Sequence, residues 1–344
     1  MPNKKKLFPE RIIIARTDRI GDLTLSIPSF SMARKMFPQA KIYALVRSYG
    51  APIIKGFSFI DETIEIDKFS EKDLRKKIRS LNADVFTALF SDNAVLKLAM
   101  VSGAKYRIGP LSKPLSWFVY NRGVKQKRSL SVKNEAEYNL DLIREINPEV
   151  FGREKITVDK IAYQKENDNT AELFLKENDI SRPFILIHPF SGGSAKNLTP
   201  DEYIKLINRI ARLDSSADIV ISSSSADYEN ALYIKENSVC KSVYSGGGIL
   251  DLAALIDKCT LYIGASTGPS HIAGNLKKNA LCIYPIKPRL SPVRWGLFGN
   301  AHAEYVSFDK DNPSEDYSSK TFDKVSDDML DETAAIAVRK LYEE

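Results

Sequence analysis

Two rhythms of hydrophobic and polar positions alternate along this chain. The first is a short β-branched block, Ile12-Ile13-Ile14, followed by a polar turn ending in Gly21-Asp22 and then by apolar residues at helical spacing from Leu23 to Phe37. Branched runs suit a buried strand and three-to-four-residue spacing suits an amphipathic helix, so strand, loop and helix follow in order. Pro38 stops the helix, and Ile42 to Val46 reads as the next strand, which makes the opening segment one βαβ unit. Strand-like runs recur at Thr63 to Ile66 and Val85 to Leu89, with a charged helical stretch, Ser70 to Leu81, between them. That alternation predicts a doubly wound parallel sheet.

The series restarts at Phe184-Ile185-Leu186-Ile187. A glycine-containing loop, Ser191 to Lys196, leads to a helix over 200–213, a strand over 218–221 and a helix over 226–236. After Ser245-Gly246-Gly247-Gly248 come a helix over 250–258, the strand Leu261-Tyr262-Ile263, a loop through Pro269, a short helix from Ser270 and a strand over 280–284. Between the two series, residues 147–182 carry Pro148, Gly152 and a polar run, the composition of a boundary. The pattern therefore predicts two Rossmann-like domains, 1–165 and 166–325, facing across a cleft at the carboxyl ends of their strands, where open α/β sheets bind ligands. A last helical segment, 326–344, is expected to pack back on the first domain.

Composition narrows the classes. The chain has 344 residues, 43% hydrophobic and 27% charged, and no apolar stretch nears the roughly 18 residues of a membrane span. The run Ile12 to Ala15 is far shorter than a signal-peptide core, so the expectation is a cytoplasmic protein. Cys240, Cys259 and Cys282 form no CxxC pair, and His188, His271 and His302 lie in no HExxH context, so neither a disulfide framework nor a helical metal site is predicted. The net charge of +6 is unevenly spread: residues 1–150 hold 27 Lys and Arg against 16 Asp and Glu, and the remainder holds 23 against 28. A basic first half suits an anionic partner: nucleic acid, a phosphorylated glycolipid or the negative leaflet of a membrane. It equally suits a solvated lysine-rich surface.

Three segments carry candidate chemistry. Arg16-Thr17-Asp18-Arg19-Ile20-Gly21-Asp22 lies at the end of the first strand, so Asp22 is either a helix N-cap or a carboxylate placed to act. His188-Pro189-Phe190-Ser191-Gly192-Gly193-Ser194-Ala195-Lys196 offers backbone N–H groups, two hydroxyls and a lysine between a strand and a helix. It reads as a pyrophosphate-binding nest or as a flexible turn. Ser266-Thr267-Gly268-Pro269 with His271 presents a second set of donors, with the histidine either packed or aimed at a ligand, and Gly246 lies at another such turn. Asp309-Lys310-Asp311 has the spacing of a metal-bound nucleotide site but sits among Asn312, Pro313 and Ser314, and reads as a solvated loop.

In this order the segments resemble glycosyltransferase family 9, the ADP-heptose:lipopolysaccharide heptosyltransferases, whose fold is GT-B. The resemblance runs from Arg11 to Pro28, through Tyr106-Arg107-Ile108-Gly109 and 135–140, to His188-Pro189, Lys196, residues 251–256, Thr267-Gly268-Pro269 with His271-Ile272-Ala273, and Arg294-Trp295-Gly296. It implies a nucleotide-sugar donor, ADP-heptose, in the second domain, at Ser191, Gly192, Gly193, Ser194, Lys196, Gly246, Ser266, Thr267, Gly268, Pro269 and His271. Asp227 or Glu229 would meet the ribose. It also implies a lipopolysaccharide-core acceptor at the inner membrane surface, rather than nucleic acid, held by Arg16 and Arg19. Asp22 would be the general base of an inverting transfer, and Lys196 would bind the diphosphate. No cofactor or metal site is required, with assistance by Mg²⁺ left open. Ser266 stands where many relatives have an aspartate. A different nucleotide sugar, or a member that binds without turnover, are the alternatives.

Overall fold

The computed structural model describes residues 6–181, 183–193, 195–310, 312 and 314–343. The chain divides into two compact units, Met1–Ala162 and Tyr163–Glu344.

In the first unit six parallel strands form one sheet: β1 (Arg11–Ala15), β2 (Lys41–Val46), β3 (Glu62–Glu65), β4 (Val85–Ala88), β5 (Tyr106–Pro110) and β6 (Arg122–Val124). Their order is β3-β2-β1-β4-β5-β6. Ile12, Ile13, Ile14 and Ala15 are fully buried because β1 is central, paired with β2 on one side and β4 on the other. This is why the strand reads as a continuous apolar run instead of alternating. The predicted helix from Leu23 to Phe37 is in fact two, Ile20–Thr24 and Ile27–Met36. Pro28 has no N–H for the carbonyl of Thr24, and its ring would collide with that carbonyl, so the chain breaks at Leu25-Ser26.

The second unit repeats the plan with β7 (Phe184–His188), β8 (Asp218–Ser223), β9 (Ser242–Ser245), β10 (Leu261–Ala265), β11 (Ala280–Ile283) and β12 (Ala303–Val306). All pairs are parallel and the order is β12-β11-β10-β7-β8-β9. Counted from each unit's own first strand, both sheets follow the Rossmann order 3-2-1-4-5-6. Helix Pro200–Leu213 starts on a capping box in which Thr199 Oγ1 accepts from the Glu202 N–H and Glu202 accepts from the Thr199 N–H. It buries Tyr203, Leu206, Ile207 and Ile210, a single helical stripe.

The terminal helix, Asp327–Leu341, packs against helix Pro200–Leu213 and buries Leu330, Ala334, Ala337 and Leu341 in the same apolar cluster as Ile187 and Ile263. It belongs to the core of the second unit, whereas the sequence suggested the first. Its apolar stripe fits a partner of the second series, a match that periodicity alone cannot assign. Among the described residues no helix is long and apolar enough to cross a membrane.

Candidate functional site

In each unit the strand order reverses beside the first strand, and the loops leaving the carboxyl ends there hold the polar clusters. In the first unit these loops follow β1 and β4. Arg16, the residue after β1, has a side chain only 1% exposed. Its Nε and Nη2 grip the two oxygens of Asp18 at 2.6 and 2.8 Å, Nη2 also donates to Asp22 Oδ1 at 2.5 Å, and Nη1 donates to Glu135 Oε1 at 3.1 Å and Asn139 Oδ1 at 3.0 Å. Five N–H groups thus meet five side-chain acceptors. Burying a guanidinium is costly unless every donor is met and the charge is balanced, and here both conditions hold. Glu135, equally buried, is shared with Arg128, whose Nη1 lies 2.6 Å from Oε1.

Arg16 therefore has no face left for an acceptor anion. It orients the carboxylates, which corrects the role expected for it. Arg19 is exposed and has no ion-pair partner among the described residues. Asp22 is the third residue of helix Ile20–Thr24, not its cap, because the cap position is Arg19 and no side chain caps it. Arg16 holds Asp22 Oδ1, no described residue donates to Oδ2, and the side chain keeps 14% of its surface exposed. Burial pushes the Asp18 carboxyl up to about 7, Arg16 pulling it down and the charge of Asp22 adding to the rise.

The sequence marked 135–140 only as part of the family resemblance and gave Glu135 and Asn139 no role, and it missed Arg128. Glu135 and Asn139 are one helical turn apart on the buried face of helix Glu135–Arg144, and a polar i,i+4 pair on an apolar stripe was the available signal. Nothing local in the sequence marks Arg128.

In the second unit the loop after β7 turns through Gly192 and Gly193, at φ +52° and +74°, left-handed values that side-chain-bearing residues rarely adopt. Ser191 Oγ donates across the turn to the Ala195 carbonyl at 3.1 Å, and Asn197 Nδ2 ties the loop back to the Pro189 carbonyl at 2.7 Å. Ser194 lies outside the described residues. Lys196 is 3% exposed: its Nζ donates to the carbonyls of Asp316 and Thr321 at 2.5 and 2.7 Å and pairs with Glu315 Oε1 at 2.7 Å. Three N–H groups meet three interior acceptors, so this ammonium fastens the 315–323 segment instead of presenting charge to a phosphate, a second correction. The segment it fastens carries Lys320, which is exposed. A Cβ placed on Gly193 would stand 3.3 Å from Lys320 Cε and 3.5 Å from Nζ, so that cation lies against the glycine turn.

After β10, Ser266 is half-buried and Thr267 stands at the N-cap position of helix Gly268–Asn275, its side chain making no capping bond, with Pro269 in the first turn. Ser270 Oγ donates to the Ala265 carbonyl at 2.5 Å and lies 3.3 Å from Thr267 Oγ1, which fixes this helix start. His271 is buried in that helix. His188, the last residue of β7, is paired in register with Gly264 of β10, and its Nδ1 lies 3.0 Å from Ser222 Oγ. Burial pushes its imidazole down to about 4, against the pull of the Asp227 charge. Asp227, beyond β8, accepts from Ser224 Oγ at 2.6 Å and is near enough to His188 to act on it, whereas Glu229 points to solvent on helix Tyr228–Glu236. Gly246 turns the chain after β9.

Asp309 departs from the reading of a solvated loop. It is fully buried, accepting from the Ile286 N–H at 3.0 Å, from Tyr317 Oη at 2.6 Å and from Ser307 Oγ, while Asp311 lies outside the described residues. Among the described residues no group of three or more His, Cys, Asp or Glu side chains is arranged to hold a metal ion.

The sequence profile of glycosyltransferase family 9 (heptosyltransferase) matches residues 73–323. A candidate glycosyltransferase of Haemophilus influenzae is 31% identical over 301 residues, which cover 83% of this chain and 85% of that one. The structure of Escherichia coli ADP-heptose lipopolysaccharide heptosyltransferase II superposes with a TM-score of 0.73 at 16% identity, covering 96% of this chain and 97% of the other. That of Escherichia coli heptosyltransferase WaaC with ADP gives 0.64 at 18% identity, covering 86% and 93%. These structural likenesses are of fold, an α/β fold of the GT-B class.

Proposed function

The chain belongs to glycosyltransferase family 9 and is a heptosyltransferase-like glycosyltransferase, and from that premise we propose the reaction and the partners that its two polar clusters serve. The donor is a nucleoside-diphosphate sugar, ADP-heptose, and the acceptor is a hydroxyl of a lipopolysaccharide-core or similar anionic glycolipid at the cytoplasmic face of the inner membrane. The donor reading is supported by the family match and by the likeness to an enzyme solved with ADP. The acceptor reading is supported by the basic balance of residues 1–150.

The chemistry is an inverting displacement. Asp22 Oδ2 takes the proton of the acceptor hydroxyl as its oxygen bonds to the anomeric carbon. The bond from that carbon to the diphosphate breaks on the opposite face, through an oxocarbenium-like state. The observation that carries this reading is the asymmetry of Asp22: one oxygen clamped by a buried guanidinium and the other unengaged by any described residue and partly exposed. Arg19 meets the acceptor's anionic groups. The N–H groups of the Gly192-Gly193 turn and of the start of helix Gly268–Asn275 receive the diphosphate, joined by Ser191, Ser266 and Thr267. Lys320 supplies the charge earlier assigned to Lys196. Asp227 is the better placed of the two ribose candidates. No cofactor is needed, and Mg²⁺ would only screen the departing diphosphate.

Asp22→Asn keeps the shape and the Arg16 contact but removes the base. Transfer should fall about 10²- to 10⁴-fold while ADP affinity, measured by calorimetry, stays within twofold. Transfer at the wild-type rate would reject Asp22 as base. Ser266, in place of the family's frequent aspartate, favours a second reading with another sugar, which a panel of ADP-, UDP- and GDP-sugars in the same assay resolves.

A further inference from the structure

Helix Pro114–Val119 faces the wrong way for a surface helix in water. Ser116 and Val119 point into the first unit, fully or almost fully buried, while Leu115, Trp117 and Phe118 are 50%, 53% and 84% exposed. Helix Asn93–Val101 packs beside it and adds Met100, also more than half exposed. Contiguous exposed apolar side chains of this size mark a surface that something else covers.

The charge around them says what. From 93 to 134 the sequence has nine Lys and Arg and no Asp or Glu. Arg107 is turned onto the carbonyls of Val119 and Ala104, Arg122 is buried, Arg128 serves Glu135, and Lys133 pairs with Asp141. The other five, Lys97, Lys105, Lys113, Lys125 and Lys127, are exposed with no acidic partner among the described residues. Lys125 Nζ lies 4.8 Å over the Trp117 ring and Lys113 immediately precedes the helix, so cations stand beside the aromatic face.

We propose that helix Pro114–Val119, with Met100 and the lysines around it, is a docking surface for an anionic lipid bilayer, Trp117 and Phe118 entering at headgroup depth while Lys97, Lys113 and Lys125 meet lipid phosphates. Tryptophan and phenylalanine beside lysine form the composition that settles at a charged lipid interface. A second copy of the chain is the poorer occupant, because an isologous contact would set these lysines against one another without a carboxylate between them. The inference rests on the reading of the acceptor as membrane-borne and names the surface that meets the membrane.

The test uses the full chain with vesicles of phosphatidylglycerol and phosphatidylethanolamine, and of phosphatidylcholine alone. Co-sedimentation with the anionic vesicles is expected, weakening as salt rises, with a blue shift of tryptophan emission that Trp117→Phe abolishes. Leu115→Ser with Phe118→Ser should lower vesicle affinity at least tenfold. Its melting temperature and its transfer to detergent-dispersed acceptor should match wild type. Wild-type binding that the double variant retains overturns this surface while leaving a membrane-borne acceptor standing; failure of the wild type to bind overturns both. Salt-insensitive binding, or a dimer in sedimentation that the double variant dissociates, also overturns the proposal.

Discussion

Arg16 meets carboxylates from the turn after β1, from the next helix and from a helix more than a hundred residues later, and this convergence explains why the first-unit cluster is ordered. Three carboxylates within reach of one another would repel; a shared guanidinium fixes their spacing and leaves Asp18 and Asp22 with small exposed windows, 15% and 14%. The Asp18 carboxyl, pushed up to about 7 from 3.8, holds its proton in the folded protein over a range where the unfolded chain has released it. Its contribution to stability therefore declines as pH rises from about 4 to about 7. Ionised Asp18 also adds negative charge to the cluster that receives the acceptor's proton. The expected kcat/KM for transfer rises through pH 7, and Asp18→Asn removes that inflection; a variant profile that keeps it would exclude Asp18 as its source. At this scale the sequence marks candidates where a residue's neighbours are local, as for Asp22 and Arg19, whose roles are those proposed above. It was misread where they are remote: Arg16 and Lys196 look like ligand-binding cations until their buried acceptors at 135, 139, 315, 316 and 321 are seen.

Long elements with a single rhythm were legible, among them β1, β7 and the helix at 200–213. Those with weak patterns were not. Strand β6 is three residues long with a glycine in the middle, and β12 is half-buried throughout, so neither shows a run or an alternation. Glycine turns could be recognised from sequence, but not the segment that closes on one of them. An Asn197–Thr321 bridge and the Lys196 contacts hold the 315–323 segment to the loop after β7. This separates two lysines by consequence. Lys196→Met leaves Glu315 buried without its cation and should destabilise the second unit by about 3–5 kcal/mol, read from urea unfolding. Lys320→Ala should leave unfolding unchanged and weaken ADP binding roughly tenfold; equal effects of the two on unfolding would remove the distinction.

Each unit has its own six-stranded sheet and its own buried cluster, Ile13, Leu45 and Phe86 among the residues of the first and Ile187, Ile207 and Ile263 among those of the second. A unit with a self-sufficient core can fold alone. Residues 1–162 and 163–344, expressed separately, should each unfold cooperatively by circular dichroism, and a featureless melt from either would show that its core is incomplete. The doubling of the fold was visible in the restarted series; the allegiance of the terminal helix was not, since either sheet could have received an apolar stripe. The shared strand order has a consequence during synthesis. β1 joins β2 on one flank early, but its other flank waits for β4, when Ile12 finally meets Val85. At the usual pace of roughly 5–20 residues per second, a ribosome-bound chain leaves Ile12-Ile13-Ile14 with an open hydrogen-bonding edge for some seconds. β7 repeats the delay until β10 emerges. A nascent chain arrested inside either interval would be a natural client for a chaperone, and a place where aggregation begins.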